Sequence, residues 1–157
     1  MCGIFGIIVN KNQIYLKNNF RQDIKKLFIL SQSRGSEASG ISMINDRQIV
    51  IYKKPLIATE MIKTNHYQNL IDENLSLKVN NTLGFIGHSR LVTNGTKDNH
   101  DNNQPVVWNN LVGIHNGIIV NSDKLWNEHH YLKRKTDLDS EIIFSLISSL
   151  NENKNNF

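Results

Sequence analysis

The sequence predicts an α+β domain built on antiparallel sheet, and three observations lead there. The length, 157 residues, is that of one domain, and 39% hydrophobic residues can supply its core. Apolar runs of strand length are joined mainly by hairpin turns, without the strand–helix alternation of a parallel sheet. Helical spacing is confined to a few segments, the clearest near the C-terminus. One domain, residues 1–157, is therefore expected, ending in a polar tail at 151–157.

Along the chain, Ile4 to Val9 is a continuous apolar run and is expected to be a buried first strand. Glycines within and before it mark places where a neighbouring backbone can come close. From Arg21 to Ser33, Ile24, Leu27, Phe28 and Leu30 or Ser31 keep helical spacing, and Arg34-Gly35 ends the pattern. Gly40 to Ile44 and Gln48 to Lys53 flank Asn45-Asp46-Arg47, a hairpin signal. Thr59 to Asn74 reads as weakly helical through Met61, Ile62, Leu70 and Ile71. Leu83 to His88 is a strand that runs into Ser89-Arg90-Leu91-Val92-Thr93-Asn94-Gly95. Thr96 to Gln104 is a polar loop, long enough to suggest function or mobility. Val106 to Trp108 and Leu111 to His115 form a second hairpin about Asn109-Asn110. Ile118 to Val120 then leads to a helix beginning near Ser122. In the last helix Ile143, Leu146, Ile147 and Leu150 fall at i, i+3, i+4 and i+7.

Composition excludes several functions. The net charge of +4 is dispersed, and the densest basic run, Lys133-Arg134-Lys135, is followed at once by Asp137, Asp139 and Glu141. Such a mixed run reads as a solvated face, so no nucleic-acid partner is expected. No apolar run approaches the roughly 20 residues of a membrane span, and Gly3 to Val9 lacks the basic flank of a signal peptide. A cytoplasmic location without membrane contact is expected. One Cys removes any disulfide framework or multi-thiolate metal site, and His129-His130 lacks the i, i+4 spacing of a zinc pair. No metal or cofactor is expected.

The single thiol is Cys2. Removal of the initiator Met would give that residue a free α-amine, whose pKa near 7.7–8.0 suits it as the thiol's own base. From position alone, the favoured reading of Cys2 is a small apolar residue at a strand start. Other residues also have ordinary readings. Asn116-Gly117 is a strong turn signal, Thr136-x-x-Asp139 resembles a helix capping box, and Arg34-Gly35 can simply end a helix. Arg90 can be a surface cation and His115 a hydrogen-bonded core histidine.

Six motifs occur in order: MCGIFGI at the start, RGSEASGI from Arg34, GHSRLVTNG from Gly87, NQP from Asn103, HNGIIVN from His115 and TDLDSEII from Thr136. Together they resemble the glutaminase domain of the class II glutamine amidotransferases, which are N-terminal-nucleophile hydrolases. The match runs from Met1 to about Ile147. The resemblance implies a four-layer αββα sandwich with antiparallel sheets, here shortened. It implies that Cys2 attacks the side-chain amide of L-glutamine, with Asn116 and the Gly117 N–H as oxyanion donors. Arg90 and Thr93 would take the substrate α-carboxylate, with Asn94 beside them, and Asp139 the α-ammonium. Arg34 and Gly3 would support the nucleophile strand.

The chain departs from the family at Leu91, usually aromatic, at Asn94, often His, and at Glu37, often Asp. Gln104-Pro105 looks more like the phosphoribosylpyrophosphate branch than the glucosamine branch. Family domains also continue with further strands and a synthase domain. A protein partner that accepts ammonia, or self-association, is therefore expected. The leading reading is a glutaminase that passes ammonia to a synthase on another chain. The alternatives are a non-catalytic glutamine-binding regulatory or scaffolding module, and an amidohydrolase acting on another linear amide.

Overall fold

The computed structural model describes residues 2–10, 17–76, 82–91 and 102–154. Its centre is a four-stranded antiparallel sheet in the order β1-β4-β2-β3, from β1 (Gly3–Asn10), β2 (Ala38–Ile44), β3 (Ile49–Lys54) and β4 (Thr82–Arg90). The β2–β3 hairpin closes through Asn45, whose Oδ1 accepts the N–H groups of Arg47 and Gln48 at 2.9 and 3.0 Å. Side chains alternate between faces along each strand. The register pairs Phe5 with Gly87, Ile7 with Phe85, and Met43 with Phe85, which puts these aromatic and aliphatic side chains on one face.

That face is covered by α1 (Lys17–Gln32), α2 (Ala58–Met61) and α3 (Asn65–Ser76). Phe20, Ile24 and Phe28 recur along α1 and are buried against Ile41, Met43 and Phe85, with Met61, Tyr67, Leu70 and Ile71 closing the cluster. Full burial of each such side chain contributes about 1.5–3 kcal/mol, so this layer is the main anchor of the fold. Helix α1 begins earlier than its spacing predicts, because Phe20 adds one more turn to the buried stripe. The weakly helical stretch resolves into two helices, α2 and α3, separated by a turn.

The opposite face meets a two-stranded sheet, β5 (Val106–Trp108) and β6 (Leu111–Gly113), turned through Asn109 in left-handed backbone. Helices α4 (Ser122–Glu128) and α5 (Glu141–Lys154) pack on that sheet through Trp108, Trp126 and Ile142, the two indoles 6.3 Å apart. The layer order is helix, sheet, sheet, helix.

Several expectations are corrected. β1 is not buried but an edge strand in this sheet, and Ile8 is 80% exposed because the second sheet does not reach it. Beside Ile8, Ile44 and Ile86 line an apolar groove of about 350 Å³. Asn116-Gly117 is not the turn of a hairpin, since Ile118 to Val120 form no strand, and Val120 is exposed. The helix that begins near Ser122 ends at Glu128, with His129 at its C-cap and His130 beyond it. α5 continues to Lys154, so most of the polar tail is helix. Its buried residues are Glu141, Ile142, Ser145 and Ser148, while Ile147 and Leu150 of the apolar stripe face outward. The serines are small enough for the helix to sit close on β5 and β6, with Asn109 donating to Ser148 Oγ at 2.9 Å.

The start of β1 is pinned from the helix side. A Cβ on Gly3 would fall onto the Ser31 carbonyl oxygen at the end of α1. Ser31 Oγ donates to the Phe28 carbonyl at 2.7 Å and lies 2.6 Å from Ser89 Oγ on the strand paired with Gly3. Gly3→Ala is therefore expected to cost about 1–3 kcal/mol, since backbone must move to admit one methyl. Urea unfolding measures this, and a change within about 0.5 kcal/mol, the range of neutral surface substitutions, would contradict the close approach.

Candidate active site

Antiparallel pairing of β1 with β4 places the beginning of one beside the end of the other, with Gly3 opposite Ser89. Cys2 consequently lies against Arg90 and Leu91. Its Sγ accepts the Leu91 N–H at 3.4 Å and is 3.5 Å from the Leu91 carbonyl. The thiol is half-buried. The Arg34 Nε–H donates to the Cys2 carbonyl at 3.3 Å, so this cation holds the backbone of the thiol-bearing residue.

The Cys2 nitrogen donates to Asn116 Oδ1 at 3.1 Å. In the chain as written this nitrogen belongs to the Met1–Cys2 peptide, and removal of Met1 makes the same atom the α-amine. Asn116 comes from a distant part of the chain, just past β6, with no strand returning on it among the described residues. Its amide oxygen faces the nitrogen of Cys2, which leaves its NH₂ as the donor group.

Arg90 ends β4 and is 4% exposed, which rules out a surface cation. Its Nη1–H donates to Asn103 Oδ1 at 2.8 Å. Burial pulls the guanidinium below its usual pKa, opposed by Cys2 and Glu37. Asp139 Oδ2 accepts the Ile119 N–H at 2.6 Å and Oδ1 the Ser140 N–H at 2.8 Å. Asp139 thus ties the segment after Gly117 to the start of α5. The first residue of α5, Glu141, is buried at 1% exposure and accepts from the Lys135 and Thr136 N–H groups and the Thr136 hydroxyl, so it holds the loop that leads into the helix.

These side chains line one cavity of about 130 Å³, bounded by Cys2, His88, Arg90, Asn116, Gly117 and Asp139. Thr93 and Asn94 lie outside the described residues. Among the described residues no group of three or more His, Cys, Asp or Glu could hold a metal. No helix of the described residues is long and apolar enough to cross a membrane.

Sequence reasoning missed His88, 1% exposed on the same sheet face as Arg90. Strand alternation from Arg90 was the signal that could have found it. Burial, then Arg90, then His115 pull its pKa down to about 4. Unfolded, it titrates near 6.5, so between these values the unfolded state binds a proton that the native state does not. Its contribution to stability is present above pH 6.5 and is lost as pH falls to 4, by roughly 3 kcal/mol. His88→Gln should flatten this part of a pH–stability curve measured by urea unfolding. Equal acid sensitivity in both proteins would contradict the burial argument.

No family model matches the chain. Among curated proteins it is similar to the amidophosphoribosyltransferase of Methanocaldococcus jannaschii, 34% identical over 94% of this chain and 29% of that protein. The glutamine–fructose-6-phosphate aminotransferase (isomerizing) of Buchnera aphidicola is 28% identical over 94% of this chain and 22% of that protein. The amidophosphoribosyltransferase of Pseudomonas aeruginosa is 28% identical over 94% of this chain and 27% of that protein. The chain therefore spans about a quarter of the length of these relatives. With a cysteine at position 2 and such matches across nearly all of its residues, the chain is a relative of the class II glutamine amidotransferases.

Proposed function

We propose that this chain hydrolyses L-glutamine to L-glutamate and ammonia through a thioester on Cys2. The observation that carries this reading is the 3.1 Å hydrogen bond between the Cys2 nitrogen and Asn116 Oδ1, which joins nucleophile, base and oxyanion donor in one contact. Once Met1 is removed, the α-amine takes the thiol proton and the thiolate attacks the side-chain amide carbon of glutamine. The oxyanion forms between the Asn116 NH₂ and the Gly117 N–H. Its collapse passes the proton from the α-ammonium to the leaving nitrogen, and ammonia departs. Water then attacks the γ-glutamyl thioester, giving glutamate and restoring the thiol.

Substrate selection rests on charge at both ends. The Arg90 guanidinium takes the α-carboxylate in a bidentate geometry that lysine would reproduce poorly, and the resemblance assigns Thr93 and Asn94 to the same end of the substrate. Asp139 takes the α-ammonium, so a free amino acid is preferred over a peptide. The ammonia is consumed by a synthase, on another chain or on a further part of a longer polypeptide, as the names of the relatives suggest.

Glutamate and ammonia released in equal amounts by the purified protein test the reaction. Added hydroxylamine should divert the thioester to γ-glutamyl hydroxamate. Absence of both glutamate and hydroxamate would overturn the reading.

A further inference from the structure

Residues 102–104 are three consecutive buried amides, Asn102 at 0%, Asn103 at 1% and Gln104 at 7% exposure. Buried amides need partners, and each of these spends its side chain on a different wall of the cavity. Asn102 closes a ring with Asp137, accepting its N–H at 2.9 Å and donating to its carboxylate at 2.9 Å, two residues before Asp139. Asn103 accepts from the Arg90 guanidinium at 2.8 Å. Gln104 takes both backbone groups of His115, accepting the N–H at 2.6 Å and donating to the carbonyl at 2.9 Å.

The Gln104 contact is specific to an amide. Only that head group carries a donor and an acceptor side by side, so it stands in for the neighbouring strand that His115 no longer has beyond β6. Holding both backbone groups of one residue sets the peptide planes that follow, and with them the directions of the Asn116 side chain and the Gly117 N–H. The segment itself cannot slide. A Cβ on Gly40, opposite His88 in the sheet, would fall onto the Gln104 carbonyl oxygen, so the strap lies directly on the strand.

We propose that residues 102–104 are a positioning bracket in which Gln104 sets turnover through the oxyanion donors while Asn103 sets glutamine affinity through Arg90. The proposal rests on the glutaminase reading for its kinetic consequences and on the hydrogen bonds for its structural one. Gln104 also borders the cavity, but its head group is spent on the His115 backbone and that of Asn103 on Arg90, so each acts through another side chain or backbone.

The test compares Gln104→Leu, Gln104→Glu and Asn103→Leu in the whole chain, by steady-state kinetics with glutamine and by amide hydrogen exchange. Gln104→Leu should lower kcat by about tenfold to a hundredfold with KM little changed, the scale expected when a catalytic group is displaced. Asn103→Leu should raise KM by about tenfold with kcat little changed. Gln104→Glu keeps the acceptor for the His115 N–H and should fall between Gln104→Leu and wild type. Exchange at residues 115–117 should quicken in Gln104→Leu and not in Asn103→Leu. A general loss of folding would instead depress both variants alike, and the same kcat and KM changes in both would overturn the bracket. If the wild-type chain hydrolyses no glutamine, the functional reading fails by itself. The exchange data then decide the bracket, and unchanged exchange at 115–117 in both Gln104 variants overturns it; Gln104→Glu serves if Gln104→Leu does not fold.

Discussion

Cys2→Ala should abolish glutamine hydrolysis, a loss on the order of 10⁴- to 10⁶-fold in kcat, the range seen when a nucleophile is removed. The size follows from the chemistry, since without sulfur no thioester forms and water must attack an unactivated amide. The fold should not suffer. Cys2 precedes β1 and is half-buried, and among the described residues its sulfur makes only long hydrogen bonds, at 3.4 and 3.5 Å, to the backbone of Leu91. The variant should therefore unfold at the same urea concentration as wild type, and it should still bind glutamine, because Arg90 and Asp139 are untouched. Glutamine binding is measured by calorimetry and turnover by glutamate release. A Cys2→Ala protein that still hydrolysed glutamine at a tenth of the wild-type rate would remove the nucleophile from the account.

Asn116→Ala should lower kcat by about 10²- to 10³-fold, or about 2.7–4 kcal/mol of barrier, the cost of one lost oxyanion donor. KM should hardly move, because the donor meets charge that exists only in the tetrahedral intermediate. The geometry allows a finer test. Asn116 Oδ1 accepts from the Cys2 nitrogen, so Asn116→Asp keeps an acceptor for the amine and loses the donor. If oxyanion stabilisation dominates, Asp and Ala variants lose similar amounts. If Asn116 acts chiefly by orienting the amine, the Asp variant recovers most of the turnover. Near-native turnover in both would dismiss Asn116 from catalysis.

Periodicity made most of the fold legible. Ile24 and Phe28 announced α1, and the hairpins around Asn45 and Asn109 were read with nearly their full lengths. Burial was harder to read. Ile4 to Val9 looks like a core strand because apolar runs do not reveal whether a second sheet covers them, and here Ile8 is left outside. In α5 the apolar stripe suggested the buried face, yet small serines allowed the closer packing. The constellation of Cys2, Arg90, Asn116 and Asp139 was visible through motif order, and the structure brings those four to one cavity. The supports were not visible. Asn103 and Gln104 stood out only as the NQP motif and not as supports, because a side chain that serves distant backbone leaves no local period. His88 was hidden inside a motif whose arginine drew the attention.

The central claim is that Cys2, once freed of Met1, is the N-terminal nucleophile of a glutamine pocket. Its most direct test is the intact mass of the protein before and after treatment with a glutamine-mimicking electrophile, with and without excess glutamine. The account predicts a mature chain lacking Met1, a single adduct on Cys2, and suppression of that adduct by glutamine. Retention of Met1, or labelling that glutamine does not suppress, would contradict it.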